Sequence, residues 1–379
     1  MSIEAKKNKK GPRKLLALDG GGIRGIIAIE VLARIEADLQ KALGRDDDFL
    51  LADYFDYVAG TSTGAIIATC VSLGMRVDQI RQFYKKSGPA MFAKASFLRR
   101  FRNKFDDQKL KEKLQEIIKK KTREEEATLG SEALRTYLML VLRNATTDSP
   151  WPISNNPDAK YNDRNHPYCN LVLPLWQLVR ASTAAPTYFP PEVVPLGSGL
   201  EFIFVDGGVT MYNDPAFQLF LMATVGQYKL GWPAGEDQML LVSIGTGIAA
   251  NANKDLQPGE MNLIYNASSL PSAFMFAAAN EQDLLCRVFG KCLNGGQIDR
   301  EVGDVIGERG NGPVIPKLFT YLRYNADLSH DGLVALKLPK INPASVQKLD
   351  SVDHIGDLQK VGRAVAREVN IDHFAGFLQ

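Results

Sequence analysis

The sequence predicts an α/β fold built on a mostly parallel central sheet with helices on both faces. An apolar run at residues 15–18 leads into a glycine-rich turn and then into a helical pattern over residues 25–43. The same order recurs in shorter form, with a strand at 57–59, a turn at 60–64 and a helix at 65–73. Because strands that are joined through a helix pair in parallel, two such units indicate a parallel sheet.

Further strands and helices follow these two units. Apolar runs predict strands at 137–142, 202–205, 239–244 and 319–322, and helical patterns occur at 109–121, 263–289 and 355–369. Three of the six strands lead directly into DGG or GTG-type turns. Ligands in such sheets bind outside the carboxyl ends of the strands, so we expect the functional site there.

The composition is that of an ordinary globular protein. The 379 residues are 45% hydrophobic, and a net charge of +2 gives no overall attraction to nucleic acid. No run reaches the roughly 18 apolar residues of a membrane span. The basic N-terminus lacks the apolar core and cleavage site of a secretory signal, which predicts a cytoplasmic protein.

One compact unit is predicted, because no repeat or Pro/Ser-rich linker divides the chain. Residues 1–12 are expected to be a disordered basic lead, residues 13–250 the main domain, and residues 251–379 helical and strand elements packed on it. The segment 154–167 is expected to be a surface loop. The four cysteines are expected to be reduced thiols, and no pair has the spacing of a zinc site.

A serine lies at the apex of the second turn. The stretch reads Gly60-Thr61-Ser62-Thr63-Gly64 and matches G-x-S-x-G, in which a sharp strand-to-helix turn exposes a nucleophilic serine. The helix N-terminus that follows favours negative charge near Ser62. A tight turn that merely contains a small polar residue fits the same letters, so the pattern alone leaves both interpretations open.

The first turn opens a helix with several glycines. It reads Asp19-Gly20-Gly21-Gly22-Ile23-Arg24-Gly25. Free backbone N–H groups at the start of a helix bind an oxyanion or a phosphate. The spacing also fits G-x-G-x-x-G, but a dinucleotide site requires a second strand ending in an acidic residue about 20 positions later. A long helix follows instead, which favours oxyanion stabilisation.

A carboxylate follows the strand at 202–205 directly, in Val205-Asp206-Gly207-Gly208. The sheet can bring Asp206 beside Ser62, where it would accept the hydroxyl proton. His330 is the rival partner, since Ser62, Asp206 and His330 follow the serine–acid–histidine order of ordinary α/β hydrolases. Of the other histidines, His166 precedes a proline in the polar loop, and His354 and His373, in helical C-terminal sequence, are predicted to be surface or packing residues.

Five motifs together resemble the patatin-like lipid acyl hydrolases, relatives of the calcium-dependent cytosolic phospholipases. They are DGGGIRG at 19–25, GTSTG at 60–64, ASTAAPTYFPP at 181–191, VDGG at 205–208 and SIGTG at 243–247. They occur in family order and spacing from about residue 15 to residue 247. Gly208 is one small departure, since many members have alanine there, but both occur in the family.

The resemblance implies a three-layer patatin-like fold, with residues 13–250 as the catalytic domain. It also implies a serine–aspartate dyad without histidine, cofactor or metal. Ser62 is then the nucleophile and Asp206 the base, and the oxyanion region comprises Gly20, Gly21, Gly22, Arg24 and Gly25. The implied reaction is cleavage of phospholipid acyl esters through an acyl-serine intermediate, by a cytoplasmic enzyme at the membrane surface.

The strongest charge asymmetry lies between Arg76 and Arg123, with sixteen Lys or Arg against five Asp or Glu. Interleaved aromatic and aliphatic side chains suit this region to an anionic bilayer. A solvated helical face with a packed apolar side, Leu110, Leu114 and Ile117, is the alternative for residues 109–121. A nucleotide or phosphate ligand would use the same charges.

Two further functional alternatives stay open. One is a catalytically silent lipid-binding module, which intact Ser62 and Asp206 argue against. The other is an enzyme kept latent until a cyclic nucleotide activates it, as in bacterial antiphage effectors that resemble this family. The sequence has no nucleotide fingerprint for that activator. It also leaves open a homo-oligomer, the lipid head group, and a lid formed by residues 274–279.

Overall fold

A computed structural model of the chain describes residues 3–92, 105–186, 188–197, 199–248, 263–299, 301–306 and 314–378. For residues 105–107 and 263–272 the description covers the backbone alone. The strands are β1 Arg13–Leu18, β2 Tyr57–Thr61, β3 Tyr137–Asn144, β4 Ser149–Ser154, β5 Glu192–Gly197, β6 Leu200–Asp206, β7 Met239–Ile244, β8 Lys291–Asn294 and β9 Thr320–Tyr324.

Helices lie between most of these strands. The long ones are α2 Gly25–Ala42, α4 Thr63–Ser72, α5 Val77–Phe92, α6 Phe105–Thr122, α7 Leu175–Ser182, α8 Ala216–Thr224, α9 Leu263–Phe289 and α12 Ile355–Val365. The short ones are α1 Ile3–Lys7, α3 Leu51–Tyr54, α10 His330–Ala335 and α11 Pro343–Val346. None of the helices in the described ranges is long and apolar enough to cross a membrane.

One mixed sheet forms the centre of the fold. The strand order is β5-β6-β3-β2-β1-β7-β9-β8, and β4 pairs with β3 off this path. The pairs from β3 through to β8 are parallel, whereas β4, β5 and β6 pair antiparallel. The mostly parallel sheet that the sequence predicts is therefore confirmed.

Alternate residues of the central strands bury two separate cores. On β1, Leu16 and Leu18 face helices α2, α4 and α12, whereas Leu15 and Ala17 face α8 and the C-terminal half of α9. Both faces of a parallel sheet are covered in this way because its strands are apolar on both sides. The result is the three-layer arrangement of helices, sheet and helices.

The predicted elements agree with the structure except at the sheet edges and the N-terminus. All six predicted strands exist, but β4, β5 and β8 had not been predicted. Residues 3–7, expected to be disordered, form α1. Lys6 ties this helix to the fold, because its side chain is fully buried. Lys6 Nζ donates to Phe55 O at 2.6 Å and lies 3.7 Å from Asp56 Oδ1.

The C-terminal residues share the same sheet. Strand β9 pairs with β7, and α12 packs on α2. Strands from both sides of residue 250 therefore belong to one hydrogen-bonded sheet, while the domain boundary near residue 250 stays a prediction. All four cysteines are free and buried.

Candidate active site

Ser62 lies at the sharp turn between β2 and α4. Its backbone has φ 55° and ψ −122°, values that a residue with a side chain rarely adopts. Gly64 permits this turn, because a Cβ there would overlap the carbonyl of Leu18 on β1, while Gly60 sits directly against Gly64. The structure thus has the strand–turn–helix setting that the G-x-S-x-G pattern requires.

The residues that flank Ser62 fix the turn from both sides. Thr61 Oγ1 donates to the carbonyl of Tyr212 at 2.6 Å. Thr63 Oγ1 lies 2.6 Å from the hydroxyl of Tyr84, which also donates to the Thr63 carbonyl. Gly25, at the start of α2, leaves room for Thr63. These buried contacts hold the apex in its strained conformation.

Asp206 is the partner of Ser62. Ser62 Oγ donates a hydrogen bond to Asp206 Oδ2 at 2.7 Å. The other carboxylate oxygen, Oδ1, accepts from Gly208 N at 2.7 Å, within a 3-10 turn that begins at Gly207. Both carboxylate oxygens are therefore held, and one of them points at the serine hydroxyl.

Strand register explains why these two residues meet. Thr61, which precedes Ser62, pairs with Val141 of β3, and Asp206 pairs with the next residue, Leu142. Strand β6 runs antiparallel to β3, yet it pairs with the carboxyl-terminal end of β3. Asp206 therefore arrives at the edge of the sheet where the parallel strands end, beside Ser62.

Burial sets the proton affinity of Asp206. It raises the pKa of the carboxyl to about 6, against the opposing effects of hydrogen bonds from Ser62 and Gly208 and of the positive charge on Arg180. A carboxylate with this pKa is a stronger base than an exposed aspartate. It is still mostly ionised at neutral pH.

The glycine-rich loop after β1 lies against Ser62. A Cβ on Gly20 would be 3.3 Å from Ser62 Cβ. Backbone carbonyls accept the amides of Gly20, Ile23 and Arg24. Among the described residues no group accepts from the amides of Gly21 and Gly22, so two N–H groups of this loop remain available as donors.

Arg24 and Thr246 brace this loop. Thr246 Oγ1 donates to Gly20 O at 2.7 Å, and a Cβ on Gly21 would overlap Thr246. The Arg24 side chain donates to Gly21 O at 3.4 Å and to Gln347 O at 3.1 Å. Arg24 thus belongs to the predicted oxyanion region by position, but its guanidinium donates to the backbone carbonyls of Gly21 in the loop and Gln347 at the end of α11.

A cavity of about 310 Å³ opens over the loop. Its lining includes Gly20, Asn213, Thr246, Met275, Phe276 and Leu349. Polar groups lie on the side of the loop, and apolar side chains come from α9. The cavity therefore joins hydrogen-bonding groups next to Ser62 to a surface that suits a hydrocarbon chain.

The family model described as Patatin-like phospholipase matches residues 16–220, which include the loop, Ser62 and Asp206. The chain belongs to the patatin-like phospholipase family. Membership makes it a lipid acyl hydrolase and confirms the family that the five motifs indicate.

Individual relatives agree with this membership. Patatin-T5 of Solanum tuberosum is 29% identical over 314 residues, covering 74% of this chain and 77% of its own. Patatin group J-1 of the same species is 31% identical over 256 residues, covering 63% and 62%. The crystal structure of VipD from Legionella pneumophila matches 92% of this chain and 67% of its own, with TM-score 0.36 and 14% identity.

A buried charge cluster lies under the loop of this patatin-like phospholipase. Arg323 on β9 donates to both oxygens of Asp19, at 2.8 and 2.6 Å, and lies 3.1 Å from Asp214. Its Nη1 also donates to Ser243 Oγ at 2.6 Å. Burial raises the pKa of Asp19 to about 7 despite the nearby guanidinium. Asp19 directly precedes Gly20, so the cluster anchors the loop to the sheet.

The histidines lie elsewhere. The His330 side chain is 73% exposed at the start of α10, 3.4 Å from Asp331. His166 Nδ1 accepts from Tyr168 N in the polar loop. Among the described residues, no histidine makes a hydrogen bond with Ser62 or Asp206. The geometry therefore does not support His330 as their partner.

Sequence reasoning missed several residues of the site. Ser182 accepts from Ser62 N at 3.0 Å and donates to Val141 O at 2.6 Å, which ties the turn to β3. Ser182 belongs to the ASTAAPTYFPP motif, so the motif marked it without assigning a role. Asn213 and Arg323 carried no signal, because single residues distant along the chain match no pattern.

The pH dependence of ester hydrolysis should report Asp206. The sequence predicts Asp206 as the base, which would act in its ionised form, so we expect kcat/KM to rise about tenfold per pH unit at low pH and to level off above about pH 6. The measurement is kcat/KM for a soluble ester across that range, with circular dichroism to confirm that the protein stays folded. A midpoint near 8, or a profile flat down to about pH 4.5, would contradict this assignment.

Proposed function

We propose that this chain is a phospholipase A-type serine hydrolase that cleaves acyl esters of membrane phospholipids, with Ser62 as nucleophile and Asp206 as base. The observation that carries the proposal is the 2.7 Å hydrogen bond from Ser62 Oγ to Asp206 Oδ2 at a strained strand-to-helix turn. The amides of Gly21 and Gly22, which have no acceptor among the described residues, support it. Family membership makes a lipid ester the expected substrate.

Acylation begins with proton transfer. Asp206 Oδ2 accepts the proton of Ser62 Oγ as that oxygen bonds to the ester carbonyl carbon, and the carbonyl electron pair moves onto its oxygen. The amides of Gly21 and Gly22 donate to this oxyanion, and a preorganised donor of this kind is worth roughly 3 kcal/mol. The tetrahedral intermediate then collapses, and the departing lysolipid alkoxide takes the proton from Asp206.

Deacylation repeats these steps with water. Asp206 accepts a proton from water as the water oxygen attacks the acyl-Ser62 carbonyl, and the same loop amides stabilise the second oxyanion. Collapse breaks the bond to Ser62 Oγ, which regains its proton from Asp206. A free fatty acid leaves, and no cofactor or metal enters the balance.

The test is fatty-acid release from mixed phospholipid vesicles. We expect release by the wild type, none above background by Ser62→Ala, and full activity in His330→Ala, whose side chain is exposed. Activity in Ser62→Ala would overturn the assigned nucleophile. Release that needs an added cyclic dinucleotide would favour a latent enzyme. No release with or without the dinucleotide would favour a silent lipid-binding module.

We also propose that the enzyme meets the bilayer through the basic region between Arg76 and Arg123. In its described part, α5 and α6 border a groove of about 330 Å³ lined by Lys86, Lys113, Lys120 and Lys121, with one acidic residue, Glu116. A hydrogen bond from Lys113 and the charge of Lys113, with smaller effects of Lys86 and Lys120, lower the pKa of Glu116. The apolar stretch around Phe97, Leu98 and Phe101 lies outside the described residues.

If the lysines of this groove bind the bilayer, charge reversal there should weaken membrane binding in a salt-dependent way. Lys86 and Lys120 are exposed and make no ion pair with a described residue. Each basic group near an anionic surface contributes about 1 kcal/mol, so Lys86→Glu/Lys120→Glu should weaken binding to anionic vesicles by at least about tenfold. Lys10→Glu/Lys340→Glu is the matched control.

Hydrolysis of a soluble ester should be unchanged in both double variants. Vesicle sedimentation at low and high salt measures the binding. Equal binding by the groove variant and the control would show that the bilayer does not use this groove.

A further inference from the structure

Asn213 occupies a fixed position between the loop and the sheet. Its backbone carbonyl accepts from Gly20 N at 3.1 Å. Its neighbour Asp214 lies 3.1 Å from Arg323 and accepts from Ala216 N at 2.9 Å, at the start of α8. The backbone of Asn213 is therefore held by the glycine-rich loop on one side and by the buried charge cluster on the other.

The Asn213 side chain lies next to both members of the dyad. A Cβ on Gly20 would be 2.5 Å from Asn213 Oδ1 and 3.3 Å from Ser62 Cβ. A Cβ on Gly208 would be 3.1 Å from Asn213 Oδ1 and 3.0 Å from Asp206 Oδ1. The amide also lines the cavity over the loop. It is thus a close neighbour of the place where an ester carbonyl would meet Ser62.

This amide has no hydrogen-bonding partner among the described residues. Asn213 is only 5% exposed, and its Oδ1 is buried without a donor. No described residue accepts from its Nδ2. A buried polar group left unpaired costs about 1–3 kcal/mol, which a purely structural asparagine has no reason to incur. Asn155 shows the contrast, because its Oδ1 accepts from Leu138 N and its Nδ2 donates to Thr136 O.

We propose that the Asn213 side-chain amide is a direct substrate contact. A half-turn of this unpaired amide exchanges Oδ1 and Nδ2, and Nδ2 then donates a hydrogen bond to the ester carbonyl oxygen from the position next to Gly20 and Gly208. The bond strengthens as that oxygen becomes the oxyanion, so Asn213 acts together with the amides of Gly21 and Gly22. The amide keeps its protons throughout and only orients and stabilises charge. The inference rests on the proposed serine hydrolase and adds a side-chain donor to a loop of backbone donors.

The test compares kcat, KM and thermal stability on a soluble acyl ester. Asn213→Leu keeps the volume and removes the donor, so kcat should fall roughly 100- to 1000-fold with little change in KM. Its melting temperature should not fall, because no hydrogen bond with the described residues is lost. Asn213→Asp should be at least as inactive, since it places negative charge beside the oxyanion.

Asn155→Leu is the structural control. It removes two satisfied hydrogen bonds, so its melting temperature should fall while kcat per folded molecule stays the same. If the wild type is active and the kcat of Asn213→Leu lies within threefold of the wild-type kcat, the proposed role of Asn213 is overturned while the hydrolase assignment stands. A loss of kcat matched by a loss of folded protein would overturn that role too. A wild type without esterase activity, both alone and with an added cyclic dinucleotide, would overturn the hydrolase itself.

Discussion

Asp206→Asn is expected to lower kcat for ester hydrolysis by roughly 100- to 10,000-fold while the protein stays folded. The amide cannot accept the Ser62 proton, although it can still accept from Gly208 N. Burial raises the pKa of Asp206 to about 6, above its value in an unfolded chain. Ionisation of Asp206 therefore opposes folding as pH rises toward 6, and that cost is complete above about pH 6.

A neutral asparagine does not carry this cost. Asp206→Asn should hence melt no lower than the wild type at about pH 7.5, which separates loss of chemistry from loss of fold. The measurements are kcat on a soluble ester and thermal unfolding at the same pH.

Glu36→Gln is the matched control. Burial also raises the pKa of Glu36, whose carboxylate accepts from Val77 N away from the dyad. Full activity is expected in this control. If Asp206→Asn kept more than about a tenth of kcat, Asp206 would not be the base.

Arg323→Met is expected to lower the free energy of unfolding by about 3–5 kcal/mol, because it leaves buried carboxylates without a counter-charge. Arg323 is 2% exposed, and Asp19 and Asp214 are no more exposed than that. Both carboxyls have raised pKa values from burial, so they can protonate when the arginine is removed. The deficit should therefore be larger at about pH 8 than at about pH 5.

Denaturant unfolding at about pH 8 and about pH 5 measures the loss of unfolding free energy in Arg323→Met. Arg34→Met is the control, since its ion pair with Asp38 is exposed and should contribute less than about 1 kcal/mol. Activity should fall along with stability in Arg323→Met, because Asp19 directly precedes the loop. An unfolding free energy within about 1 kcal/mol of the wild type would contradict the anchoring role.

The central layer of the fold was predictable because its strands are short apolar runs. Residues of β1 and β7 are buried on both faces, and such runs stand out from the helical patterns around them. The missed strands lie at the margins of the sheet. Strand β4 contains Pro150 and Pro152 and pairs with β3 alone, and a proline within a run argues against a strand except at an edge.

The parts of the site that lie in local motifs were predictable. Ser62 and the loop glycines each lie in a turn whose sequence is typical of that turn geometry. The pairing of Ser62 with Asp206 spans 144 residues, and the ion pair of Asp19 with Arg323 spans 304. Contacts of that kind depend on strand order and register, which one sequence does not reveal.

The N-terminal residues illustrate the same limit. In the sequence Lys6 is one charge in a basic segment, and its burial depends on the Phe55 carbonyl and Asp56, directly before β2. No local pattern indicates that a lysine will find such partners. The disorder expected for residues 1–12 was wrong over residues 3–7 for this reason.

The most direct test of the central claim is to locate the acylated side chain. A fluorophosphonate carrying an alkyl chain should label the wild type once, and peptide mass spectrometry should place the adduct on Ser62. Ser62→Ala should take no label, and Asp206→Asn should take it much more slowly. A label on another serine, or an undiminished rate in Asp206→Asn, would contradict the Ser62–Asp206 dyad.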